Sequence, residues 1–208
     1  PIKTPADLNL IIRHSALFFT SGEAVVCKFD LDDDLWMAEV DINQLSQTIS
    51  NLVINASQAM PEGGEICITT ENRVVLERDD LPLSPGNYVK LTIQDQGIGI
   101  SKKYISKIFD PFFTTKKKGT GLGLSTVYSI IKKHNGHVAV ESEPDKGTTF
   151  FIYLPASQLP VTRKDKSVQV THQGNGRVLI MDDQDIILNV AEGMLELMGY
   201  ETMTASDG

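Results

Sequence analysis

Alternate glycines lead directly into an amphipathic segment in the second half of the chain. Glycine lets a backbone approach a polyanion and turn its N–H groups toward it, because no Cβ stands in the way. The helix that follows adds unpaired amides and the positive end of its dipole. This pattern predicts a phosphate-binding loop formed by Gly119, Thr120, Gly121, Leu122, Gly123 and Leu124.

Two common glycine motifs do not fit this loop. The dinucleotide fingerprint requires a glycine where Leu124 stands and a strand before the loop. The Walker motif requires Gly-x-x-x-x-Gly-Lys-Ser/Thr, whereas the lysines at 116–118 precede the glycines. The loop therefore indicates another class of nucleotide site, with a merely flexible loop as the open alternative.

Polar side chains form a stripe along a helix predicted over residues 41–60. Steps of three and four residues place them on one face of that helix. Neutral amide oxygens suit a hydrated Mg²⁺ ion that also takes phosphate oxygens, and Asn55 is the candidate ligand. An asparagine pair that faces solvent or caps backbone is the alternative. The stripe consists of Thr48, Asn51, Asn55 and Gln58.

Asp95 ends a predicted strand and is followed by Gly97, Gly99 and Ile100. An ionised carboxylate only accepts hydrogen bonds, so in an apolar slot it can take the exocyclic amine of adenine and reject the carbonyl of guanine. The glycines let the chain bend close to a planar ligand. An ordinary type I turn explains the same residues without a ligand.

Three aromatic residues, Phe109, Phe112 and Phe113, precede the phosphate-binding loop. We interpret them as anchors of a movable flap, with core packing as the alternative for at least one of them. Lys116 lies in this flap, where it can neutralise phosphate charge; a solvated basic side chain is the alternative.

Alternating helical and strand patterns must position these segments. Asp41 and Gln44 resemble a capping box at the start of the helix over 41–60. Apolar spacing places Ile42 on the core face of that helix and Tyr128 on the core face of a helix over 124–134. The other expected elements are helices over 7–19 and from 101 to Pro111, and strands over 25–29, 36–40, 64–70, 88–94, 137–142 and 148–154.

Charge and composition exclude several functions. The 208 residues include 27 acidic and 19 basic side chains, and the net charge of -8 argues against general nucleic-acid binding. The sequence contains neither an apolar run of membrane-spanning length nor a signal-peptide pattern, which predicts a cytoplasmic segment without membrane contact. A membrane anchor elsewhere in the full-length protein is compatible with this. Cys27 and Cys67 stand singly and predict reduced thiols.

Four segments, in this order, resemble the motifs of the Bergerat-fold ATPase family, which contains DNA gyrase, the large heat-shock chaperone, mismatch-repair ATPases and sensor histidine kinases. Residues 51–56 resemble its N box, 95–99 its first glycine box, 109–112 its F box and 119–123 its second glycine box. The similarity covers residues 1–157 and implies an α/β fold, a two-layer sandwich of a mixed sheet with helices on one face. The short flap and residues 55–64 are similar to hybrid sensor kinases of the nitrogen-regulatory type.

The resemblance also implies a cofactor, Mg-ATP, and roles for individual residues. Asn55 would bind Mg²⁺, Asn51 would lie near the phosphates, Asp95 would bind adenine, and Thr148 would lie beside the adenine pocket. Many family members carry Lys or Arg where this chain has Gln58. The other implied nucleotide contacts are Gly97, Gly99, Ile100, Phe109, Lys116 and residues 119–124, and a lid lysine such as Lys116 is the candidate replacement for the missing basic residue.

The last part of the chain differs in pattern. Residues 158–175 lose apolar periodicity and predict a linker. Residues 176–208 resemble the opening of a response-regulator receiver domain, a truncated βαβ unit with a helix that ends at Met198. The acidic pair Asp182 and Asp183 implies a Mg²⁺ site only in an intact receiver, since the phosphoacceptor aspartate of such a domain lies beyond residue 208.

The resemblance implies the catalytic, ATP-binding half of a protein-histidine kinase in a two-component system, within a homodimeric full-length protein. Its partners would be its own receiver and a dimerisation hairpin outside this chain that carries the phosphoacceptor histidine. His14, His134, His137 and His172 lack the sequence context of that histidine. Two alternatives stay open: an ATP-hydrolysing clamp of the gyrase or mismatch-repair kind, and a non-catalytic nucleotide-binding module.

Overall fold

The computed structural model describes residues 1–20, 25–116, 119–157, 175–181, 188, 192, 195 and 199–205. The chain divides into two units, residues 1–161 and residues 162–208. The elements of the first unit are, in chain order, β1 (Thr4–Ala6), α1 (Leu8–Thr20), β2 (Val25–Leu31), β3 (Ala38–Val40), α2 (Ile42–Ala59), β4 (Gly64–Val75), β5 (Gly86–Asp95), α3 (Lys102–Ile105), α4 (Gly123–Lys133), β6 (His137–Glu143) and β7 (Gly147–Pro155).

Five strands of the first unit form one mixed sheet in the order β2-β4-β5-β7-β6. β2 pairs with β4 in parallel, and the other three pairings are antiparallel. Helix α1 packs on α2 and β2, α2 packs on β4 and β5, and α4 packs on α2 and β6. This arrangement confirms the expected α/β fold, with helices layered on a mixed sheet.

Apolar side chains from the helices and from alternate strand positions form one core. Ile66 and Ile68 of β4 are fully buried, as are Ile152 and Leu154 of β7. Such alternation is typical of strands with one packed face. Each buried side chain of this size contributes about 1.5–3 kcal/mol to stability. The core therefore holds α2 and β5 in place, and the polar side chains of the site project from these two elements.

Helix α2 begins where the capping pattern predicted. Oδ1 of Asp41 accepts a hydrogen bond from the backbone N–H of Gln44 at 3.2 Å. The apolar face is buried over Leu45, Ile49, Leu52, Val53 and Ala56. The prediction for Ile42 is wrong, since this residue is 49% exposed in the first turn, before the helix reaches the sheet.

The strands predicted over 25–29 and 36–40 do not pair with each other. β3 pairs with β1, and β2 pairs with β4. The sequence pattern did not reveal β1, because three residues that include Pro5 do not show strand periodicity. The strands predicted over 64–70 and 88–94 are longer than expected, since β4 extends to Val75 and β5 begins at Gly86.

The helix expected from Ser101 to Pro111 is only the four-residue α3. Beyond it the backbone forms three-residue turns, in which Lys107 N–H donates to Tyr104 O and Asp110 N–H donates to Lys107 O. Hydrogen bonds between residues three apart, as in a 3₁₀-helix, wind the backbone more tightly than an α-helix does. The α-helical pattern therefore ends before Pro111.

Helix α4 has the predicted end but a different inward face. Asn135 adopts a φ of 56°, and Gly136 N–H donates to Ile131 O, as expected for the Asn-Gly stop signal. The prediction that Tyr128 faces the core is wrong, because its side chain is 41% exposed. Ile130 is buried instead.

The second unit contains β8 (Arg177–Met181) and β9 (Glu201–Ala205), which pair in parallel. A parallel pair agrees with the predicted βαβ pattern, and residues 188, 192 and 195 between the strands are helical. Asp182, Asp183 and residues 158–174 of the predicted linker lie outside the described residues. Within the described residues, no helix combines the length and apolar character that a bilayer span requires.

Candidate nucleotide-binding site

A cavity of about 500 Å³ in the first unit brings together residues of the predicted N box, of both glycine boxes and of the flap that follows the F box. This volume is within the range of small-molecule sites. The predicted site residues that line it are Asn51, Asn55, Asp95, Gly99, Ile100, Lys116, Gly119, Thr120, Gly121, Gly123, Leu124 and Thr148.

Other residues complete the lining without having been singled out as site residues. They are largely apolar, as a slot for a planar base requires, and single apolar side chains gave no sequence signal of this role. They are Ile54, Ala59, Ile98, Tyr104, Ile108, Thr114, Thr115 and Phe150, together with Gln58 and the flap aromatic Phe113.

Asp95 lies at the end of β5 with only 5% of its surface exposed. Its Oδ1 accepts hydrogen bonds from the backbone N–H groups of Gly97 at 2.9 Å and Thr148 at 3.1 Å. Burial raises the pKa of this carboxyl group, and the two hydrogen bonds and the charge of Lys116 oppose that rise. Among the described residues, both hydrogen bonds to the carboxylate end on Oδ1, so Oδ2 is open to a ligand.

The glycines after Asp95 are required by close approaches within the protein. A Cβ on Gly97 would lie 2.6 Å from the Cβ of Ala59 at the end of α2. Gly99 has a φ of +66°, and a Cβ there would lie 2.0 Å from the carbonyl oxygen of Glu143. Gly97 thus packs the segment against α2 and lies outside the cavity lining, whereas Gly99 lies on the lining.

The end of β6 and the start of β7 contain two residues that the sequence analysis missed. Gly147 has a φ of +95°, and a Cβ on it would lie 2.0 Å from the carbonyl oxygen of Asp95. Ser142 Oγ accepts a hydrogen bond from Ile100 N–H at 2.8 Å. The only available signal was a Glu-Pro-Asp-Lys-Gly turn, which any hairpin could contain.

The polar stripe of α2 faces the cavity with three of its four members. Asn51 Nδ2 donates to the carbonyl oxygen of Gly123 at 3.3 Å, which ties α2 to the start of α4. Asn55 and Gln58 line the cavity beside it. The prediction that Thr48 belongs to the stripe is wrong, because this residue is fully buried and its hydroxyl donates a hydrogen bond to Gln44 O.

Lys116 carries its ammonium group onto this stripe. Its Nζ donates to Asn55 Oδ1 at 3.0 Å and to Gln58 Oε1 at 2.6 Å. Burial lowers the pKa of Lys116, and the negative charge of Asp95 opposes that shift. The amide oxygens of α2 therefore already hold a cation. Residues 117 and 118 lie outside the described residues.

The amide oxygens of Asn55 and Gln58 indicate whether the residues of this site fit Mg²⁺. Within the described ranges, no group of three acidic, histidine or cysteine side chains could hold a metal on its own. Mg²⁺ does not need such a cage, because it keeps several waters and takes phosphate oxygens. A neutral amide oxygen that already contacts a cation fits that ligand set.

The lid loop runs from residue 113 to residue 120, and the residues on either side of it are joined by a backbone hydrogen bond from Phe112 N–H to Gly121 O at 3.0 Å. Both flanking residues have positive φ, 66° for Phe112 and 68° for Gly121. A Cβ on Gly121 would lie 2.3 Å from the carbonyl carbon of Phe112. Inside the loop, Thr114 Oγ1 accepts from Lys116 N–H at 3.0 Å.

The three flap aromatics have different surroundings. The Phe109 ring packs 5.6 Å from that of Tyr128, and the Phe113 ring packs 5.6 Å from that of Tyr104. Phe112 is 75% exposed. Phe109 and Phe113 thus hold the lid to the core; Phe109 lies outside the cavity lining, as does Leu122.

His134 has a structural position rather than a place in the site. Its ring is buried between α4 and α2, where Nε2 accepts the Asp41 N–H at 2.9 Å and Nδ1 lies 2.8 Å from Ile130 O. His134 thus joins the end of α4 to the start of α2.

Comparison with known proteins shows the family to which this chain belongs. A family model described as "Histidine kinase-, DNA gyrase B-, and HSP90-like ATPase" matches residues 40–158. The chain is 38% identical to the sensor kinase CckA of Brucella abortus (strain 2308) over 98% of this chain and 22% of that protein, so it spans about a fifth of that relative.

Two solved structures share the fold. The nucleotide-free catalytic domain of the histidine kinase ThkA is 32% identical with a TM-score of 0.61, and the match covers 74% of this chain and 95% of that chain. Full-length ShkA in complex with AMPPNP is 21% identical with a TM-score of 0.63, and the match covers 99% of this chain and 41% of that chain. At that identity, the ShkA match shows the fold alone.

Proposed function

This chain belongs to the family of histidine kinase-, DNA gyrase B- and HSP90-like ATPases, and we propose that it binds Mg-ATP and presents the γ-phosphate to a histidine. The observation that carries the proposal is the cavity itself, in which an acceptor-only carboxylate, amide oxygens, a lysine and glycine backbone converge. The phosphoacceptor histidine lies on a dimerisation hairpin outside this chain.

Asp95 recognises the base. Its open Oδ2 accepts the exocyclic amine of adenine, while the apolar lining encloses the ring. A 6-oxopurine would place a carbonyl oxygen against the carboxylate, which disfavours guanine. Ile100, Thr148 and Gly99 form the adjoining walls of the base pocket.

The triphosphate lies between α2 and the start of α4. Lys116 and the backbone N–H groups of residues 119–124 supply donors and positive potential. Asn51 orients the backbone at the start of α4 through its hydrogen bond to Gly123 O. Asn55 provides an oxygen ligand for Mg²⁺. A bound Mg²⁺ would supply positive charge that offsets the charge of the phosphates.

Phosphoryl transfer requires positioning more than covalent chemistry, so these binding residues also serve catalysis. Closure of the lid by Phe113, Lys116 and the Phe112–Gly121 backbone bond excludes water from the γ-phosphate, which favours transfer over hydrolysis. The clamp and the non-catalytic module receive less support, because relatives across most of this chain are named as kinases.

The proposed setting is a hybrid sensor kinase. Residues 1–157 form its catalytic domain, 158–175 a linker and 176–208 the start of a receiver domain, in a homodimeric protein whose catalytic part lies in the cytoplasm. The parallel β8–β9 pair supports the receiver assignment, and Asp182 and Asp183 would contribute to the Mg²⁺ site of the complete receiver.

Phosphotransfer in trans tests this function. The chain is mixed with the dimerisation hairpin of its own full-length protein and with γ-labelled ATP and Mg²⁺, and acid-labile label on the hairpin is measured. We expect labelling with the wild-type chain and at least about 100-fold less with Asn55→Ala. Labelled ATP hydrolysed without transfer would support the clamp, and binding without either reaction would support the non-catalytic module.

A further inference from the structure

Ser142 forms a hydrogen-bonded junction behind the base pocket. Its Oγ accepts from Ile100 N–H at 2.8 Å, donates to Gly147 O at 2.8 Å and lies 3.0 Å from Thr148 Oγ1. A serine hydroxyl has one proton to donate and two lone pairs to accept with. Since the proton is directed to Gly147 O, the bond with Thr148 must be donated by the threonine.

This assignment fixes the polarity of Thr148 toward the cavity. The single hydroxyl proton of Thr148 points at Ser142, so only lone pairs of Oγ1 remain for a ligand. The residue is 5% exposed and lines the cavity, and its backbone N–H binds the carboxylate of Asp95. Two adjacent groups, Asp95 and Thr148, therefore offer only acceptors to a base.

We propose that Ser142 is a specificity-determining residue that selects a 6-aminopurine by locking the hydroxyl of Thr148 as an acceptor. Ser142 does not line the cavity, so it acts as a positioning residue through Thr148. The proposal rests on the proposed ATP site and deepens it. In this proposal both acceptors face the 6-position of the purine, where an amine can donate one proton to each, whereas a 6-oxo group meets lone pairs on both.

Removal of the serine hydroxyl frees the threonine proton. In Ser142→Ala, Thr148 can rotate its hydroxyl and donate into the cavity, so a 6-oxopurine gains a partner. Ile100 also loses the acceptor for its N–H, but that loss weakens the binding of every nucleotide by the same factor. The ratio of the affinities for a 6-aminopurine and a 6-oxopurine nucleotide therefore changes only if Ser142 selects the base. Loss of support for the backbone at Ile100 leaves this ratio unchanged.

The test compares the affinities of the whole chain for ATP and for inosine triphosphate by calorimetry. We expect Ser142→Ala to lower the preference for ATP over inosine triphosphate by roughly fivefold to tenfold, the size of one hydrogen bond exchanged. Ser142→Thr, which keeps the hydroxyl, should retain the preference. In a Thr148→Val background, Ser142→Ala should cause no further change in the ratio.

The outcomes separate this inference from the proposed function. If the wild-type chain binds no ATP, both are overturned. If it binds ATP and folded Ser142→Ala loses affinity for both nucleotides equally, only the specificity role is overturned. Ser142→Cys, a change of similar volume with a weakly hydrogen-bonding thiol, gives the same ratio test should the alanine variant not fold.

Discussion

The ammonium nitrogen of Lys116 lies 2.6 Å from the amide oxygen of Gln58. The first residue belongs to the lid loop and the second to α2, at the position where many family members carry a basic residue. The positive charge that such a residue would place on the helix is thus held on the lid in this chain.

This arrangement predicts that Lys116→Met lowers the affinity for ATP by about tenfold or more, because a charge-assisted phosphate contact is lost. The double variant Gln58→Lys with Lys116→Met should recover much of that loss, since the charge returns to α2. Calorimetric titration with ATP and Mg²⁺ measures both effects. Lys103→Met, an exposed lysine outside the cavity lining, is the matched control and should bind ATP normally.

Asp95→Asn should make the nucleotide-free chain more stable and unable to select ATP. Burial raises the pKa of Asp95, so the folded state binds its proton more tightly than the unfolded state does. The stabilisation from protonation is complete below the unfolded pKa of about 3.9 and is lost as the pH rises through the higher folded pKa. The free energy of unfolding in urea should therefore exceed that of wild type at pH 7, with a gap that closes in acid. A gap independent of pH contradicts the assigned burial.

Affinity for ATP should also depend on the ionisation of Asp95. The carboxylate accepts the adenine amine, and protonation converts it into a donor. Because burial raises the pKa of Asp95, we expect ATP affinity to fall, as the pH is lowered, at a higher pH than an ordinary aspartate would give. Calorimetry at a series of pH values measures this, and Asp95→Asn, which cannot titrate, should remove that part of the pH dependence.

Two glycines of the phosphate-binding loop should respond oppositely to alanine. At Gly123, in the first turn of α4, the nearest atom to an added Cβ is Asn55 Nδ2 at 3.7 Å, so Gly123→Ala should leave stability unchanged or raise it by up to ~1 kcal/mol. The added methyl group nevertheless stands on the phosphate path and should weaken ATP binding. Gly121→Ala, with its positive φ and its contact with Phe112, should cost about 2 kcal/mol. Thermal unfolding and ATP titration of both variants provide the comparison.

His134→Ala should lower the free energy of unfolding by about 2 kcal/mol, because it leaves the Asp41 N–H without its acceptor and creates a cavity between α2 and α4. His14→Ala, an exposed histidine on α1, should change it by less than about 0.5 kcal/mol. Urea unfolding measures both. A value for His134→Ala as small as that for His14→Ala would contradict the structural role.

Local chemistry explains which features could be predicted from the sequence. The cap at Asp41, the stop at Asn135 and the convergence of Asn55, Asp95 and the glycine loop all depend on a few neighbouring residues with specific backbone or side-chain roles. Tyr128 was assigned to the core face, where the structure buries Ile130 instead, because the angular difference between these two residues is decided by how α4 meets α2 and the sheet. That contact is tertiary and leaves no mark on helical periodicity.

Long-range pairing explains what could not be predicted. The parallel pairing of β2 with β4 and the contact of Gly147 with Asp95 join segments far apart in sequence. Ser142 looks like any exposed strand residue until the fold brings it to Ile100 and Thr148. The hydrogen bonds from Lys116 to the neutral amides of α2 likewise could not be predicted, since the geometry of a lid does not follow from composition.

The most direct test of the central claim is a calorimetric titration of this chain with AMPPNP in the presence of Mg²⁺, performed on wild type, Asp95→Ala and Asp80→Ala. Asp80 lies on the exposed loop between β4 and β5 and is the matched control for the loss of an acidic side chain. We predict one nucleotide bound per chain by wild type and by Asp80→Ala, with affinity at least about 100-fold lower for Asp95→Ala. Equal affinities for the three proteins, or no binding to wild type, would contradict the assignment of this cavity as the ATP site.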